Sequence, residues 1–246
     1  MSADGRGGQA MPLDKAPSRI AGMFDAIASS YDLLNTVLSA GFDRRWRRQA
    51  IRSLALTGRE RVLDVCAGTA DVSIGAALAH PGGARVVGVD FAGAMLARGH
   101  EKIGAAGIRD RVQLIRGDAM GLPVASASVD AATIAFGIRN VQGTAQALDE
   151  LMRVLRPGGR LAILEFGLPD LPGLRQLYRW YFLSVLPRIG RMISRHGGAY
   201  SYLPESVAAF PWGEDFVRLL RDAGFVEAQA RPLTLGVVYL YTARRP

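Results

Sequence analysis

The chain has 246 residues, of which 49% are hydrophobic, and its formal net charge is +8. This length and apolar content suit one large α/β domain, or one domain with an appendage, built around a sizeable core. Cys66 is the only cysteine, which excludes an internal disulfide and a cysteine-rich metal cluster and fits a reducing cytoplasm.

The positive charge leaves the class of partner open. Nearly all of it comes from arginine, because Lys15 and Lys102 are the only lysines. Such a balance is compatible with nucleic acid, with an anionic membrane surface, or with the coding preference of a GC-rich genome. Residues 1–19 lack the apolar core of a signal peptide, and no run of about 18 apolar residues predicts a membrane span.

The N-terminal region is predicted to be a tail followed by helices. Residues 1–17 are rich in Gly, Pro and Ala and predict a disordered tail, ahead of a single domain over 18–246. Apolar residues then recur at spacings of three and four, the helical pattern. The predicted helical runs are 19–31, 33–38 and 43–54. We expect residues 18–56 to form a helical lid.

Strands and helices alternate through the middle of the chain. The predicted elements are strand 61–65, helix 71–79, strand 85–89, helix 93–104, strand 112–116, strand 129–135, helix 143–155 and strand 160–166. The run 156–159, Arg-Pro-Gly-Gly, predicts a sharp stop and turn. This alternation predicts an α/β fold with a doubly wound, mostly parallel sheet, whose ligands bind at the carboxyl ends of the strands.

The C-terminal third breaks this pattern after Gly167. Residues 172–196 are aromatic and rich in arginine and predict a helical insertion, part of a substrate cover over 172–212. The insertion has three readings: a cover for the site, a membrane-binding segment, or a dimer contact. Helix 213–223 and strands 225–231 and 235–243 are expected to complete a seven-stranded sheet as a β-hairpin edge.

The turn after the first strand is the most informative local pattern. The three glycine positions of a dinucleotide turn hold Cys66, Gly68 and Asp71, and Asp90 ends the next strand. Asp71 would place negative charge where a pyrophosphate lies, whereas S-adenosylmethionine carries no phosphate and is cationic at sulfur. The turn therefore favours S-adenosylmethionine, with Asp90 accepting hydrogen bonds from the ribose. The alternative is an ordinary strand–helix turn with Asp90 as a helix cap.

Five motifs together resemble a known family. They are Phe24-Asp25-x-Ile27-Ala28-x-x-Tyr31-Asp32-x-x-Asn35, Leu63-Asp64-Val65-Cys66-Ala67-Gly68-Thr69-Ala70-Asp71, Gly117-Asp118-Ala119-x-x-Leu122-Pro123, Phe136-Gly137-Ile138-Arg139-Asn140-Val141 and Arg153-Val154-Leu155-Arg156-Pro157-Gly158-Gly159. Over about residues 19–243 the chain resembles the ubiquinone/menaquinone biosynthesis C-methyltransferases (UbiE/MenG type). The turn 66–71 is closest to that of the demethylmenaquinone methyltransferases.

The resemblance implies a cofactor, a fold and a set of cofactor contacts. The fold would be that of a class I methyltransferase dependent on S-adenosylmethionine. Thr69, Asp90, Asp118 and Ala119 would contact this cofactor beside Gly68, with Asp118 at the adenine amino group. Members of the family often carry serine where this chain has alanine, at position 135. Any hydrogen bond from that serine is absent here.

The resemblance also implies a polyprenyl quinol substrate methylated at a ring carbon, and three residues suit that chemistry. Arg139 offers a permanent charge and a fork of donors to a quinol oxyanion, Asn140 could fix its geometry, and Tyr31 could hydrogen-bond the quinol or close the lid. The structural alternatives are a salt bridge for Arg139 and helix packing for Tyr31. His80 and the other two histidines show no ligand spacing, so we expect no metal site.

These observations predict the conversion of demethylmenaquinol to menaquinol, in the cytoplasm at the inner face of the membrane. Methylation of the ubiquinone-pathway benzoquinol, alone or in addition, and a different small-molecule methyltransferase activity remain alternatives. A nucleic-acid-binding role is disfavoured because the arginines are scattered and the cofactor turn is intact. The prenyl length and a homodimeric state stay open.

Overall fold

The computed structural model describes residues 14–169, 172–180, 184 and 198–246. Its strands are β1 Arg61–Val65, β2 Arg85–Asp90, β3 Val112–Arg116, β4 Val129–Ala135, β5 Leu155–Phe166, β6 Val226–Leu233 and β7 Val238–Arg244. They form one seven-stranded sheet in the order β3-β2-β1-β4-β5-β7-β6, with β7 antiparallel to both of its neighbours. The predicted doubly wound, mostly parallel sheet is confirmed.

Helices lie on both faces of this sheet. They are α1 Pro17–Ile27, α2 Tyr31–Leu38, α3 Phe42–Ser53, α4 Asp71–Ala77, α5 Gly93–Ala105, α6 Thr144–Val154, α7 Pro172–Trp180, α8 Gly198–Ala209 and α9 Glu214–Asp222. Short 3-10 turns cover Ile138–Asn140 and Thr234–Gly236. In the part of the chain covered by the structure, no helix is both long and apolar enough to cross a bilayer.

The predicted helix stop before residues 156–159 is confirmed, but the predicted turn is wrong, because these residues form a bulge within a strand. Helix α6 ends at Val154, and β5 begins at once with Leu155. Leu155 pairs with Val129 while Arg160 pairs with Ala131, so the residues between them bulge out of the strand. The bulge is held by the C-terminus, because the Gly158 amide donates to the Arg245 carbonyl and the Arg245 amide donates to Gly159, both at 2.9 Å.

The last two strands pair as a hairpin, as predicted, but only β6 is at the edge of the sheet. Strand β7 inserts between β5 and β6, and most of its residues are buried, whereas most residues of β6 are exposed. The sequences explain this difference, since Val-Tyr-Leu-Tyr in β7 is apolar on both faces and β6 mixes charged with small residues. A strand covered on both sides needs apolar residues on both faces.

The apolar core has two layers, one on each face of the sheet. One layer packs β1, β4 and β5 against α6 and α9, through residues such as Leu148, Leu151 and Phe216. The other packs the opposite face against α3, α4 and α5, with Trp46 at its centre. Burial of apolar side chains on both faces makes the sheet a rigid platform for the carboxyl ends of its strands.

Helices α1 and α2 close over those carboxyl ends. Ile27 and Ala28 pack on Met95 of α5, and the amide of Ala94 donates to Asp25 at 2.8 Å. Helix α2 packs through Leu34 against α7 and α8. The first helix begins at Pro17, the last residue of the predicted tail, because proline suits the first helical position. Residues 1–13 of that tail lie outside the described residues.

Asp64 is a buried carboxyl whose ionisation opposes folding. It is 1% exposed on β1 and accepts a hydrogen bond from the Ser73 hydroxyl at 2.6 Å. Burial raises the pKa of Asp64 to about 7, with a further rise from Asp90 and a partial offset from Ser73 and Arg47. The folded state therefore holds a proton that the unfolded chain releases, and stability falls as the pH rises from about 4 to 7.

Replacement of Asp64 with asparagine should flatten this pH dependence. Each unit of pKa shift corresponds to roughly 1.4 kcal/mol. The effect of Asp64→Asn on the free energy of unfolding, compared with wild type, should therefore be more favourable at pH 8 than at pH 4 by on the order of a few kcal/mol. Urea unfolding at pH 4, 6 and 8 measures it, with the exposed Asp110→Asn as control. Equal slopes for wild type and Asp64→Asn would show that this carboxyl does not govern stability.

Candidate active site

The turn that follows β1 is tight and left-handed at several positions. Cys66, Gly68 and Ala70 have φ angles of 56°, 54° and 66°. A Cβ added at Gly68 would meet no atom within 4 Å, so any side chain there would enter open space beside the turn. Glycine therefore keeps the backbone accessible to a ligand.

Asp90 anchors this turn from the end of β2. Its carboxylate is 7% exposed and accepts the Gly68 amide at 2.8 Å and the Ala92 amide at 2.9 Å. Burial raises the pKa of Asp90, and these backbone donors oppose that rise. A carboxylate has about four acceptor positions, so two remain for a ligand. The helix-capping role and the predicted ribose contact are thus compatible with each other.

A small cavity of about 30 Å³ opens between this turn and the lid. We call it the cofactor cavity. It is lined by Phe24, Tyr31, Cys66, Gly68, Asp90, Phe91, Met95, Ala135, Phe136, Gly137 and Asn140. A groove of about 260 Å³ continues past Phe91 and is lined also by Arg116 and Gly117. The cavity alone is too small for a nucleoside, so Phe24 and Tyr31 must shift to admit one. Ala135 faces this cavity, where a family serine would offer a hydroxyl.

The donors and acceptors around the cavity fit S-adenosylmethionine. The side-chain oxygen of Asn140 is buried there and has no hydrogen-bond partner among the described residues, while its amide nitrogen lies 3.5 Å from the Phe136 carbonyl. An unsatisfied acceptor and a buried carboxylate suit a cationic ligand that also carries a ribose diol. Asn140 is thus on the cofactor side of the site, beside Asp90, as well as next in sequence to Arg139.

The hydroxyl of Thr69 does not face the cofactor cavity. It donates to Asp32 at 2.6 Å and accepts from Lys102 at 3.1 Å, and Lys102 also binds Asp32 at 2.9 Å and pairs with Asp71. A Thr69 contact with the cofactor would therefore come from its backbone. The network ties α2 of the lid to the cofactor turn.

Asp71 does not carry a free negative charge at the turn. It pairs with Lys102, and Arg47 lies 3.5 Å away. The Asp71 charge was predicted to exclude a pyrophosphate. That argument is wrong, because Lys102 and Arg47 compensate the charge. Selection against a dinucleotide falls instead to the missing glycines at positions 66 and 71, because an acid at the position of Asp90 serves the ribose in both kinds of site.

Asp118 and Ala119 follow β3, next to the end of β2. The Gly117 amide donates to the Asp90 carbonyl at 3.0 Å, which places this loop beside Asp90. Asp118 accepts the Met120 amide at 2.9 Å and so caps its own loop, and Ala119 is buried in the core. The adenine contact predicted for Asp118 stays a prediction.

A second cavity, of about 120 Å³, lies on the other side of the lid residues. Its walls are mostly apolar and aromatic: Met23, Phe24, Ile27, Tyr31, Leu34, Asn35, Leu38, Ser39, Asp43, Trp46, Arg47, Phe136, Arg139, Phe166, Tyr178, Tyr202, Leu203 and Val237. We call it the apolar cavity. It shares Phe24, Tyr31 and Phe136 with the cofactor cavity, so only these side chains separate the two spaces.

Arg139 is buried in the wall of the apolar cavity and is paired. Its Nη1 donates to Glu165 Oε1 and to the Phe136 carbonyl, both at 2.6 Å, and its backbone amide donates to Glu165 Oε2 at 3.2 Å. The guanidinium lies 5.3 Å from the ring centre of Phe166. The predicted alternative, a salt bridge, is present. The Nε–H still lacks a partner among the described residues, so the guanidinium keeps at least this donor for a ligand.

Tyr31 contacts both cavities. Its ring meets Phe24 edge to face with centres 6.1 Å apart. Burial raises the pKa of Tyr31, with an opposing effect from Arg47, so its hydroxyl stays protonated at neutral pH. It is therefore a packed lid residue with a protonated hydroxyl, and its predicted hydrogen bond to the quinol stays a prediction.

Sequence reasoning missed Glu165 and Arg47. Glu165 is fully buried and holds Arg139, and its position at the carboxyl end of β5, two strands from β1, was the available signal. Arg47 pairs with Asp43 inside the apolar cavity wall and has no motif to mark it. Three-residue clusters of His, Cys, Asp or Glu that could hold a metal are absent from the described ranges.

Solved structures place the fold in a class. A SAM-dependent methyltransferase of Thermotoga maritima, titled a possible histamine N-methyltransferase, aligns with a TM-score of 0.63 at 19% identity, covering 92% of this chain and 100% of that one. The [4+2]-cyclase SpnF aligns equally well, with a TM-score of 0.63 at 18% identity over 94% of this chain and 97% of its own. The strand order, the glycine turn and the buried acid together define the fold of the class I methyltransferases, which depend on S-adenosylmethionine.

Sequence relatives narrow the class to a family. The family model described as the ubiE/COQ5 methyltransferase family matches residues 13–245. A ubiquinone/menaquinone biosynthesis C-methyltransferase UbiE of Syntrophotalea carbinolica is 49% identical, covering 91% of this chain and 92% of its own. A demethylmenaquinone methyltransferase of Clavibacter sepedonicus is 43% identical over 95% and 93%. The chain belongs to the ubiE/COQ5 methyltransferase family and is an S-adenosylmethionine-dependent enzyme.

Proposed function

We propose that this enzyme methylates a ring carbon of a polyprenyl quinol and converts demethylmenaquinol to menaquinol. The observation that carries the proposal is the shared wall: an aromatic-lined cavity with the buried Arg139 and Arg47 adjoins the cofactor cavity, and both are lined by Tyr31, Phe24 and Phe136. A flat aromatic substrate suits such walls, and a buried arginine suits an oxygen that becomes negative. The name of the Clavibacter sepedonicus relative supports the naphthoquinol.

The chemistry requires an electron-rich ring carbon close to an electrophilic methyl group. When bound, S-adenosylmethionine would supply that methyl group as an electrophile. The ring carbon would gain the methyl, sulfur would keep the electron pair of the broken carbon–sulfur bond, and the displaced ring proton would pass to water. Ionisation of a quinol hydroxyl pushes charge onto the carbon. Arg139 would stabilise that oxyanion through its free Nε–H while Glu165 holds the guanidinium in place.

The lid residues would orient the ring and exclude water. Tyr31 donates from the boundary between the two cavities, where a quinol oxygen and the reacting carbon would meet. The carboxylate in the apolar cavity wall, Asp43, is paired with Arg47 and is a poor base. The phenolic proton would therefore pass to water, with the site lowering the pKa of the bound quinol rather than removing the proton itself.

Methyl transfer to defined quinols tests the assignment. Purified enzyme is assayed with a reduced short-chain demethylmenaquinone and with a reduced 2-polyprenyl-6-methoxy-1,4-benzoquinone, and the products are identified by mass spectrometry. We expect methylation of the naphthoquinol. Turnover of the benzoquinol alone would move the enzyme to the ubiquinone pathway, and turnover of neither would refute the proposed function.

We also propose that the enzyme binds an anionic membrane surface through α3 and β6. The insertion over residues 172–196 was one candidate for membrane binding, and its Arg188 and Arg191 lie outside the described residues. A separate groove of about 940 Å³ between α3 and the sheet edge contains Arg45, Arg48, Arg52, Arg160, Arg231 and Arg244. We call it the basic groove. Its charge is complementary to lipid phosphates.

Exposed apolar side chains lie beside the basic groove. Phe42 stacks on Trp46, and the Trp46 indole donates to Thr234 at 2.8 Å, next to Leu235, which is 67% exposed. Leu33 and Val37 are exposed one turn apart on α2. Apolar residues next to arginines are the composition of a peripheral membrane contact, and this one lies near the apolar cavity that would receive the lipid substrate.

Charge reversal in the basic groove should weaken membrane binding. Arg45 and Arg52 are exposed and have no ion pair within the described structure, so their replacement by glutamate removes attraction without breaking a bridge. Sedimentation with vesicles containing phosphatidylglycerol should fall, and high salt should lower it for wild type. Turnover of a soluble quinol should be unchanged.

The matched control reverses Arg85 and Arg109, which are exposed near the opposite end of the sheet. If both double variants lose sedimentation equally, the whole basic surface and not the basic groove is responsible. Absence of wild-type binding at low salt would end the membrane proposal.

A further inference from the structure

Tyr202 has a buried hydroxyl for which the described part of the chain provides no hydrogen-bond partner. The residue lies on α8 and is 7% exposed. Buried hydroxyls are nearly always hydrogen-bonded, because leaving one without a partner forfeits its interaction with water. An exception in an enzyme cavity points to a partner that the protein does not supply.

The side chain of Tyr202 lines the apolar cavity together with Arg139. Helix α8 packs against the turn Ile138–Asn140 that carries this arginine. Burial raises the pKa of Tyr202, and Arg139 is close enough to oppose that rise. The hydroxyl is therefore protonated at neutral pH and can act as a donor.

Arg139 and Tyr202 each contain a buried hydrogen-bond donor that has no partner among the described residues. The donor is the Nε–H of the arginine and the O–H of the tyrosine. Both side chains line the apolar cavity, and the helix that carries Tyr202 packs on the turn that carries Arg139. A ligand oxygen in that cavity is the partner that could use both donors. An oxygen that gains negative charge during the reaction profits most from such preorganised donors.

We propose that Tyr202 is a catalytic residue that donates a hydrogen bond to the ionising hydroxyl oxygen of the aromatic substrate, beside Arg139. The ligand class is an aromatic ring with at least one ionisable hydroxyl. This inference rests on the proposed function and adds a second oxyanion donor to it. The alternative is a purely structural role, in which the tyrosine ring packs in the cavity wall and its hydroxyl contributes nothing to catalysis.

The Tyr202→Phe variant separates these readings. Removal of an unpartnered hydroxyl should leave the melting temperature unchanged or raise it, and binding of S-adenosylhomocysteine should not change. The value of kcat/KM for the quinol should fall by about tenfold to a hundredfold. The rising limb of the kcat–pH profile should move to higher pH, because the bound quinol ionises less readily.

Tyr241→Phe is the matched control. Tyr241 is fully buried outside the apolar cavity, and its hydroxyl accepts the Gly213 amide at 2.9 Å. That variant should lose thermal stability and keep its kcat/KM and pH profile. A Tyr202→Phe enzyme with wild-type kcat/KM and an unmoved profile, or one that melts lower as Tyr241→Phe does, would overturn the inference.

A binding measurement keeps the inference testable if the proposed function fails. Calorimetry compares 1-naphthol with naphthalene in the presence of S-adenosylhomocysteine. Wild type should prefer the naphthol, and Tyr202→Phe should lose most of that preference. If wild type methylates no quinol but this difference is found, the proposed function fails and the hydroxyl donor stands. If wild type methylates the quinol and the preference is the same in both proteins, the inference fails alone.

Discussion

Replacement of Arg139 with alanine should abolish quinol methylation and also destabilise the fold. Loss of a preorganised oxyanion donor costs roughly a hundredfold to a thousandfold in turnover. The same change leaves the carboxylate of Glu165, which is fully buried, without its cation. Breaking a buried pair from one side typically costs about 3–5 kcal/mol of unfolding free energy. Radiolabelled methyl transfer and urea unfolding measure the two effects.

A double variant separates catalysis from stability. Arg139→Ala combined with Glu165→Gln removes the stranded charge, so most of the lost unfolding free energy should return while turnover stays low. Arg139→Lys should recover only part of the turnover, since a point charge lacks the guanidinium fork. Near-wild-type turnover in the folded double variant would show that Arg139 is a structural residue, and the oxyanion role would be withdrawn.

Replacement of Asp90 with alanine should weaken cofactor binding by roughly a hundredfold. The two acceptor positions not used by Gly68 and Ala92 would be lost, along with their charge. Charge-assisted hydrogen bonds of this kind contribute on the order of 2–3 kcal/mol together, which corresponds to that factor. Titration calorimetry with S-adenosylmethionine measures the change.

Asp90→Asn is the conservative comparison. It keeps an acceptor for a backbone amide, so it should fold normally and show an intermediate affinity. Asp110→Asn, exposed at the end of the loop after α5, should bind the cofactor as wild type does. Unchanged affinity in a folded Asp90→Ala enzyme would remove the ribose assignment, and the carboxylate would then serve only as a cap for α5.

Much of the cofactor site could be predicted from the sequence, because its parts are local in the chain. Gly68 follows β1 directly, and Asp90 ends the next strand, 22 residues further on. A strand, a turn, a helix and a second strand bring these positions together in any parallel α/β sheet. The predicted strands and central helices were mostly confirmed for the same reason, since their apolar spacing is a local property.

The substrate side could be predicted only in part. The motif around Arg139 marked the arginine, but its partner Glu165 is 26 residues away on another strand. Thr69 was assigned to the cofactor, yet its hydroxyl binds Asp32, 37 residues earlier in the chain. Tyr202 lies far along the chain from most of the other residues of the apolar cavity, and only the packing of α8 brings it there.

The sequence by itself determined the family, the order of strands and helices, and the acid and glycine that line the cofactor cavity. These follow from periodicity and from spacing within one β–α–β unit. Only the tertiary structure decided which charged and polar groups are paired. Asp71 is paired with Lys102 and Arg139 with Glu165, whereas the Tyr202 hydroxyl has no partner among the described residues. Burial and pairing depend on residues far apart in the chain, and the spacing of residue types carries no record of them.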